Sequence, residues 1–470
     1  MRSDMSARRA PMTRRGWLHT TLVAAGVGSG LLAACGPRPA HAPGVEQGTD
    51  ATTVQRPVNL RLSVWPPQVD LEIYQGVTAK LTAKQPNIQF TLDQWTGGAE
   101  DYYAKLQVSI ASGTLPDIIW MQGHRWQPYL RQNAFRPIDD LVRRDRLPRG
   151  DIWGGAATRA CTLKGVTYLV PTDGVNLVIY YAKAPVDRLG LQYPTDDWTM
   201  DQFYDDLVVR LSHGEGPDRI YGHQPRDGYF LSVPWLRNGG GHEWGGEDVD
   251  PTKATFDDPR VVEGVQKLWY DLMHVHRAGP TPAQRSQGAT INQGKVATFL
   301  SGSWELPSMW GPKAPDGGVA FDVVRVPKGK VSRAEYSGTS GVALAAVTPH
   351  VDAAFEFQKF VVTDEAQEEV AKGGRMPGVL GAIRRVWAPL VRQLYQFQNT
   401  EAFAKAFEDG RWLATPVFTA GAGYGKIETE AILPDWRRME AGETNAAEAL
   451  ADITRKVQVI LDQYAAERRS

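Results

Sequence analysis

The chain is 470 residues long, 42% hydrophobic and 22% charged, with a formal net charge of −1. That describes an ordinary globular protein with room for two or three domains, even without its first 34 residues. The near-zero charge gives no electrostatic basis for binding nucleic acid, and two cysteines, Cys35 and Cys161, cannot build a metal site on cysteine pairs.

The first predicted element is an export signal. Thr13-Arg14-Arg15-Gly16-Trp17-Leu18 has the outline of a twin-arginine signal, and a short run of small and apolar residues follows from Thr20 to Ala34. That run is too short and too glycine-rich for a stable membrane span. Leu32-Ala33-Ala34-Cys35-Gly36 resembles the lipobox of bacterial lipoproteins, which implies that residues 1–34 are removed and that Cys35 becomes the acylated N-terminus. Residues 35–57, rich in Pro, Gly and Ala, read as a flexible tether. The expectation is an exported protein held to the cell membrane by a lipid, in a periplasm or on the outer face. Cys161 then has no disulfide partner and is expected as a buried structural thiol.

Beyond the tether, Leu60 to Trp65 alternates like a strand, a helix is predicted over Leu71–Lys84, and a second strand over Ile88–Leu92. Tyr102, Tyr103, Leu106 and Ile110 fall at helical spacing, with Gly113 just past that helix. Pro116 to Met121 reads as a short buried strand. This rhythm predicts an α/β domain with a largely parallel sheet. Thr199 and Gln202 make a capping-box pattern before Phe203, Leu207 and Leu211, and Asp258-Pro259 opens a helix carrying Val262, Val265, Trp269 and Leu272. Ala353 to Phe360 and Leu450 to Tyr464 complete the helical stripes, which are core faces. No internal repeat is present.

Several chemistries are missing. No Gly-x-Ser-x-Gly occurs. Gly421 to Lys426 lacks the spacing of a phosphate loop, and Ile427 stands where Ser or Thr is needed. His274 and His276 are not at the spacing of a zinc helix. Paired acids such as Asp139-Asp140 and Asp257-Asp258 lie at turns and helix starts, where carboxylates cap N–H groups. The sequence therefore predicts neither a cofactor nor a metal, and no enzyme activity. What it does carry is 15 Trp and 16 Tyr, many beside Gly, Pro or Asn.

From residue 58 to 465 the chain resembles the sugar-binding family of extracellular solute-binding proteins of ABC importers, which includes maltose-binding protein. The ordered set that carries this is Ala111-Ser112-Gly113-Thr114-Leu115-Pro116-Asp117-Ile118-Ile119, Tyr168 to Asp173 running on to Lys183, Trp198-Thr199-Met200-Asp201-Gln202-Phe203, Gly294 to Trp304, Gly338 to Val342, and Thr363 to Gln367. Ala182 stands where Asn is more usual, and Ser303 where Pro is. The resemblance implies a two-lobed periplasmic-binding-protein fold of type II, with two Rossmann-like lobes and a hinge of several segments. Crossings are expected near Asp173–Asn176, Val324–Pro327 and Thr363–Glu365. One lobe is then 58–173 plus 326–364, and the other 174–325 plus 365–470. A ligand would be trapped in the interlobe cleft.

A pyranose presents C–H faces that stack on Trp or Tyr, and hydroxyls that suit planar polar side chains. The candidates follow from position and from the resemblance. Trp65 and Trp95 end the first two strands. Met121, Gln122 and Arg125 follow the third, where the family places sugar-contacting residues, an Arg matching Arg125 among them. Asp173 and Asn176 fall at the hinge. Trp304 matches a stacking Trp of the family, with Glu305 beside it, and Tyr424 lies in a region that carries another stacking aromatic. Tyr229 and Trp235 suggest an aromatic loop at the cleft mouth; Gly338, Ser340 and Arg375 complete the set. The implied partners are a carbohydrate and the permease subunits of an ABC transporter, the protein itself being monomeric. An exported carbohydrate-active enzyme, or a sensor subunit of the same fold, are the competing readings.

Overall fold

Leu60, Leu62 and Val64 alternate along the first strand, β1 (Val58–Val64), and all three are fully buried. In this computed structural model the described residues are 57–66, 68–147, 155–225, 229–306, 320–410 and 416–469. The export signal, Cys35 and the tether up to residue 56 lie outside the described residues. β1 pairs in parallel with β2 (Ile88–Gln94) and with β3 (Ile118–Gln122). Four of the five residues of β3 are buried, as expected of a central parallel strand covered on both faces. Helix Gln68–Lys84 buries Ile73, Val77 and Leu81, four residues apart, against this sheet.

β4 (Thr162–Leu163) and β5 (Val166–Thr167) form a small hairpin. The chain then enters β6 (Leu169–Ala182), 14 residues long. Its first half pairs antiparallel with β10 (Ser337–Leu344), which itself runs antiparallel to β3. Its second half pairs antiparallel with β8 (Val296–Gly302) and β9 (Phe321–Arg325), and β7 (Tyr221–Gln224) joins β8 in parallel. The predicted parallel sheet thus holds for β1–β3 and β7–β8, whereas the strands that link the two halves are antiparallel. The β6–β10 ladder slips between Ser340 and Gly341, which pair with Asp173 and Pro171 and leave Thr172 out. This is a β-bulge. The Thr172 carbonyl instead accepts from Gln367 Nε2 (3.0 Å) and the Gly378 amide (3.3 Å).

Two hydrophobic cores give two lobes. One gathers Leu60, Leu62, Ile118, Phe355 and Phe357; the other gathers Leu177, Ile179, Phe203, Trp269, Leu450 and Ile453. Packing bears on the expected lobe boundaries at two points. Val326 and Tyr336 pack in the second core, and Asn238 holds the Pro327 carbonyl and the Ala334 amide, within the stretch expected of the first lobe. Helix Asp364–Lys372, expected to begin the return to the second lobe, is tied to helix Gln68–Lys84 by the Lys80–Glu369 and Lys84–Glu365 ion pairs. The predicted caps form: Thr199 and Gln202 bond reciprocally (3.0 and 3.2 Å), and Asp258 accepts from the Arg260 amide (2.9 Å). Cys161 is fully buried, and burial pushes its thiol pKa up.

Candidate functional site

A cavity of about 350 Å³ opens where the two cores meet across β6. Its first-lobe wall starts at Trp65, immediately after β1, and continues through Trp120 and Gln122 of β3 and Gly123–Arg125 of the following turn. The Trp65 and Trp120 rings lie 4.5 Å apart at 31°, with Tyr102 edge-on to Trp65 at 5.2 Å. A closed polar loop locks this cluster. The Trp120 amide donates to Ser63 Oγ (3.1 Å), and Tyr102 OH donates to the Trp120 carbonyl (2.7 Å). Ser63 Oγ is then the donor in its 2.8 Å bond to Tyr102 OH. Ser63 and Tyr102 have no exposed surface, so each buried polar atom here is satisfied.

Ionic groups flank the rings. Arg375 donates to Asp70 (Nη2–Oδ2 2.6 Å) across 305 residues of chain. Asp173, at the bulge of β6, accepts from Thr172 Oγ1 (2.9 Å). Burial pushes the Asp173 carboxyl up to about 6, opposed by the Arg375 charge and reinforced by Asp70. Arg125 donates to Glu100 (2.8 Å) and lays its guanidinium over the Tyr103 ring, 5.0 Å from the centroid. The Nε atoms of Arg125 and Arg375 are buried and make no hydrogen bond. Burial, with the Arg125 charge beside it, pulls the His124 imidazole down to about 3, so it is neutral at physiological pH.

The second-lobe wall carries Val175, Trp304, Tyr336, Tyr424 and Glu428. Trp304 sits in the single turn Ser303–Glu305 after β8, and its Nε1 donates to Glu305 Oε1 (3.1 Å), which also accepts from Ser301 Oγ (3.0 Å). Glu305 therefore steers the ring. Gly302 is what allows that ring position, since a Cβ there would lie 1.9 Å from the indole. Tyr424 opens a short helix directly after Gly423, whose φ of 73° suits glycine. Burial raises the Glu428 carboxyl pKa, while Arg125 and a hydrogen bond with Tyr424 lower it. A second cavity of about 280 Å³ adjoins the first across His124, Arg125 and Tyr424, and is walled by the stacked rings of Tyr103 and Tyr129 (6.4 Å, 18°).

The cavity thus brings together Trp65, Gln122, Arg125, Asp173, Trp304, Ser340, Arg375 and Tyr424 from the sequence-derived set. The others stand elsewhere. Trp95 packs on Tyr102 at 4.8 Å. Met121 is fully buried, because the pleat turns it away from the face that Trp120 and Gln122 share. Asn176 is fully buried and donates to the Phe403 carbonyl (2.6 Å). Trp235 stacks on Phe203 inside the second core (6.4 Å, 10°). Gly338 lies behind Tyr336, whose hydroxyl would be 3.1 Å from a Cβ there. Tyr229 begins helix Tyr229–Arg237, and its side chain lies outside the described residues. Sequence reasoning missed Asp70, Trp120, His124, Tyr336, Thr339 and Glu428.

Among the described residues no group of three or more His, Cys, Asp or Glu is placed to hold a metal, and no helix is long and apolar enough to cross a membrane. The arrangement offers flat apolar faces from both lobes, with fixed donors and acceptors between them.

Residues 65–368 match the model of a family described as bacterial extracellular solute-binding protein. The diacetylchitobiose binding protein DasA of Streptomyces coelicolor is 22% identical over 392 residues, 81% of either chain. The ABC substrate-binding protein Lmo0181 from Listeria monocytogenes, solved in complex with cycloalternan, aligns with a TM-score of 0.72 at 19% identity, over 86% of this chain and 99% of that one. Maltose-bound MalE3 of T. maritima aligns with a TM-score of 0.67 at 15% identity, over 86% and 99%. At these identities the solved structures share the fold.

Proposed function

As the chain belongs to the bacterial extracellular solute-binding protein family, we propose that it captures a carbohydrate in the interlobe cavity and hands it unaltered to the permease of an ABC transporter. The observation that carries this reading is the two-sided cavity: Trp65 and Trp120 line it from one lobe, Trp304, Tyr336 and Tyr424 from the other, with carboxylates and guanidinium groups between them. Rings on opposite walls suit the two C–H faces of a pyranose, and the polar groups suit its hydroxyls. The adjoining cavity beyond Arg125 and Tyr424 supports a ligand longer than one sugar ring.

The same reading places the protein outside the cytoplasm, as a monomer held to the membrane by acylated Cys35. Loss of radiolabelled palmitate incorporation in Cys35→Ala checks the anchor. Isothermal titration of the purified mature chain against a panel of neutral and charged oligosaccharides tests the function. Binding with the ligand recovered intact by mass spectrometry is the expected result. Cleavage of the ligand points to a carbohydrate-active enzyme instead, and silence toward the whole panel ends the carbohydrate reading.

A further inference from the structure

The charges around the cavity do not balance. Arg375 is engaged by Asp70 at 2.6 Å, and Arg125 by Glu100 at 2.8 Å. Each guanidinium thereby has its own carboxylate. Asp173 and Glu428 line the same cavity, and among the described residues neither has a cation within ion-pair distance. His124, held neutral, cannot compensate them. A sheltered carboxylate whose nearest guanidinium is already engaged by another carboxylate is drawn toward a proton or a cation. Burial moves both carboxyls toward the protonated form, as that predicts. Tyr336 and Tyr424 line the same wall: the Asp173 charge is felt at the Tyr336 phenol, and the Tyr424 phenol lowers the Glu428 carboxyl pKa. Ring faces beside carboxylates favour a positive group over a neutral one.

We propose that the carbohydrate taken by this cavity carries a protonated amine, an amino sugar or short amino-oligosaccharide whose ammonium groups are received by Asp173 and Glu428. This rests on the carbohydrate reading above. A neutral sugar offers these carboxylates hydroxyl donors only. An ammonium offers three donors and the missing charge. The unpartnered Nε donors of Arg125 and Arg375 are left for ring and hydroxyl oxygens of the same ligand.

Three disaccharides of one backbone separate the possibilities: chitobiose with free amines, its N,N′-diacetyl form, and cellobiose with hydroxyls in their place. Titration calorimetry near neutral pH is expected to show chitobiose binding roughly ten-fold or more tighter than either neutral analogue. Asp173→Asn and Glu428→Gln should each shrink that preference, and the double variant should abolish it. Repeating the wild-type titration near pH 6 in two buffers of different ionisation enthalpy gives a readout that needs no variant. Proton release on binding chitobiose, and none on binding cellobiose, is expected. Equal affinity for the three, or preference for the acetylated form, overturns the amine proposal and leaves the carbohydrate reading standing. Silence toward these three and the wider panel overturns both.

Discussion

The two walls of the cavity are built differently. The first-lobe wall is an extension of a hydrophobic core: Trp120 is a strand residue, and Ser63, Tyr102 and the Trp120 backbone form a closed loop of hydrogen bonds with no water-exposed member. The second-lobe wall is set on turns. Trp304 rides a single helical turn and keeps its place because Gly302 leaves room and Glu305 accepts its N–H. One wall is positioned by packing and the other by local steric and hydrogen-bond geometry, so substitutions in the first should cost stability as well as affinity, and those in the second chiefly affinity.

The largest effect that would break this contrast lies in the first wall. Trp120→Ala removes a ring that is 3% exposed, and is expected to destabilise the chain by about 3–5 kcal/mol in urea denaturation. A loss confined to affinity would show that this wall is not core. Next is Trp304→Ala, expected to weaken carbohydrate binding by roughly 1–3 kcal/mol in calorimetry. Its stability should change far less than that of Trp120→Ala, because the ring is only partly buried. Gly302→Ala should mimic it with about 1–2 kcal/mol of lost affinity, because the new Cβ occupies the indole's place. Gly302→Ala combined with Trp304→Ala should then add little to the single loss, the mark of a shared mechanism.

A further expectation concerns pH. The Asp173 carboxyl sits at about 6 in the folded chain, above the ordinary aspartate value of 3.8. Between those values the folded chain holds a proton that the unfolded chain has released. Stability from this group is therefore present at low pH and declines as pH rises from about 4 to about 6, staying flat above. Subtracting the urea midpoints of Asp173→Asn from those of the wild type across this range should leave that decline; a flat difference removes the assignment. The smallest expectation is Met121→Leu. It conserves volume in the core, should cost under about 1.5 kcal/mol of stability, and should leave affinity unchanged.

What the sequence revealed follows the same division. Strands β1 and β3 and the helix between β1 and β2 were legible because alternation and four-residue spacing are local. Eight of the candidate residues that line the cavity came from ordered motifs that fix where strands end. Asp70 was not, since it is defined by a partner 305 residues away. Tyr336 was missed because it lies just before β10, outside the Gly338–Val342 motif; Thr339 lies inside that motif between Gly338 and Ser340, and alternation alone did not mark it as facing the cavity with Ser340. Met121 lies off the cavity for a reason of parity. In a strand the neighbour of a cavity residue faces the other way, and nothing in Ile118-Ile119-Trp120-Met121-Gln122 says which face is which.

One consequence of the bulge in β6 concerns leverage. A strand hydrogen-bonded into both halves resists twisting wherever its ladder is intact. That ladder is interrupted at Thr172, whose carbonyl is gripped by the Gln367 side chain and the Gly378 amide. The interruption lies one residue from Asp173, which lines the cavity. On the proposed reading, a guest that pulls on that carboxylate acts beside this break in the strand that joins the two halves.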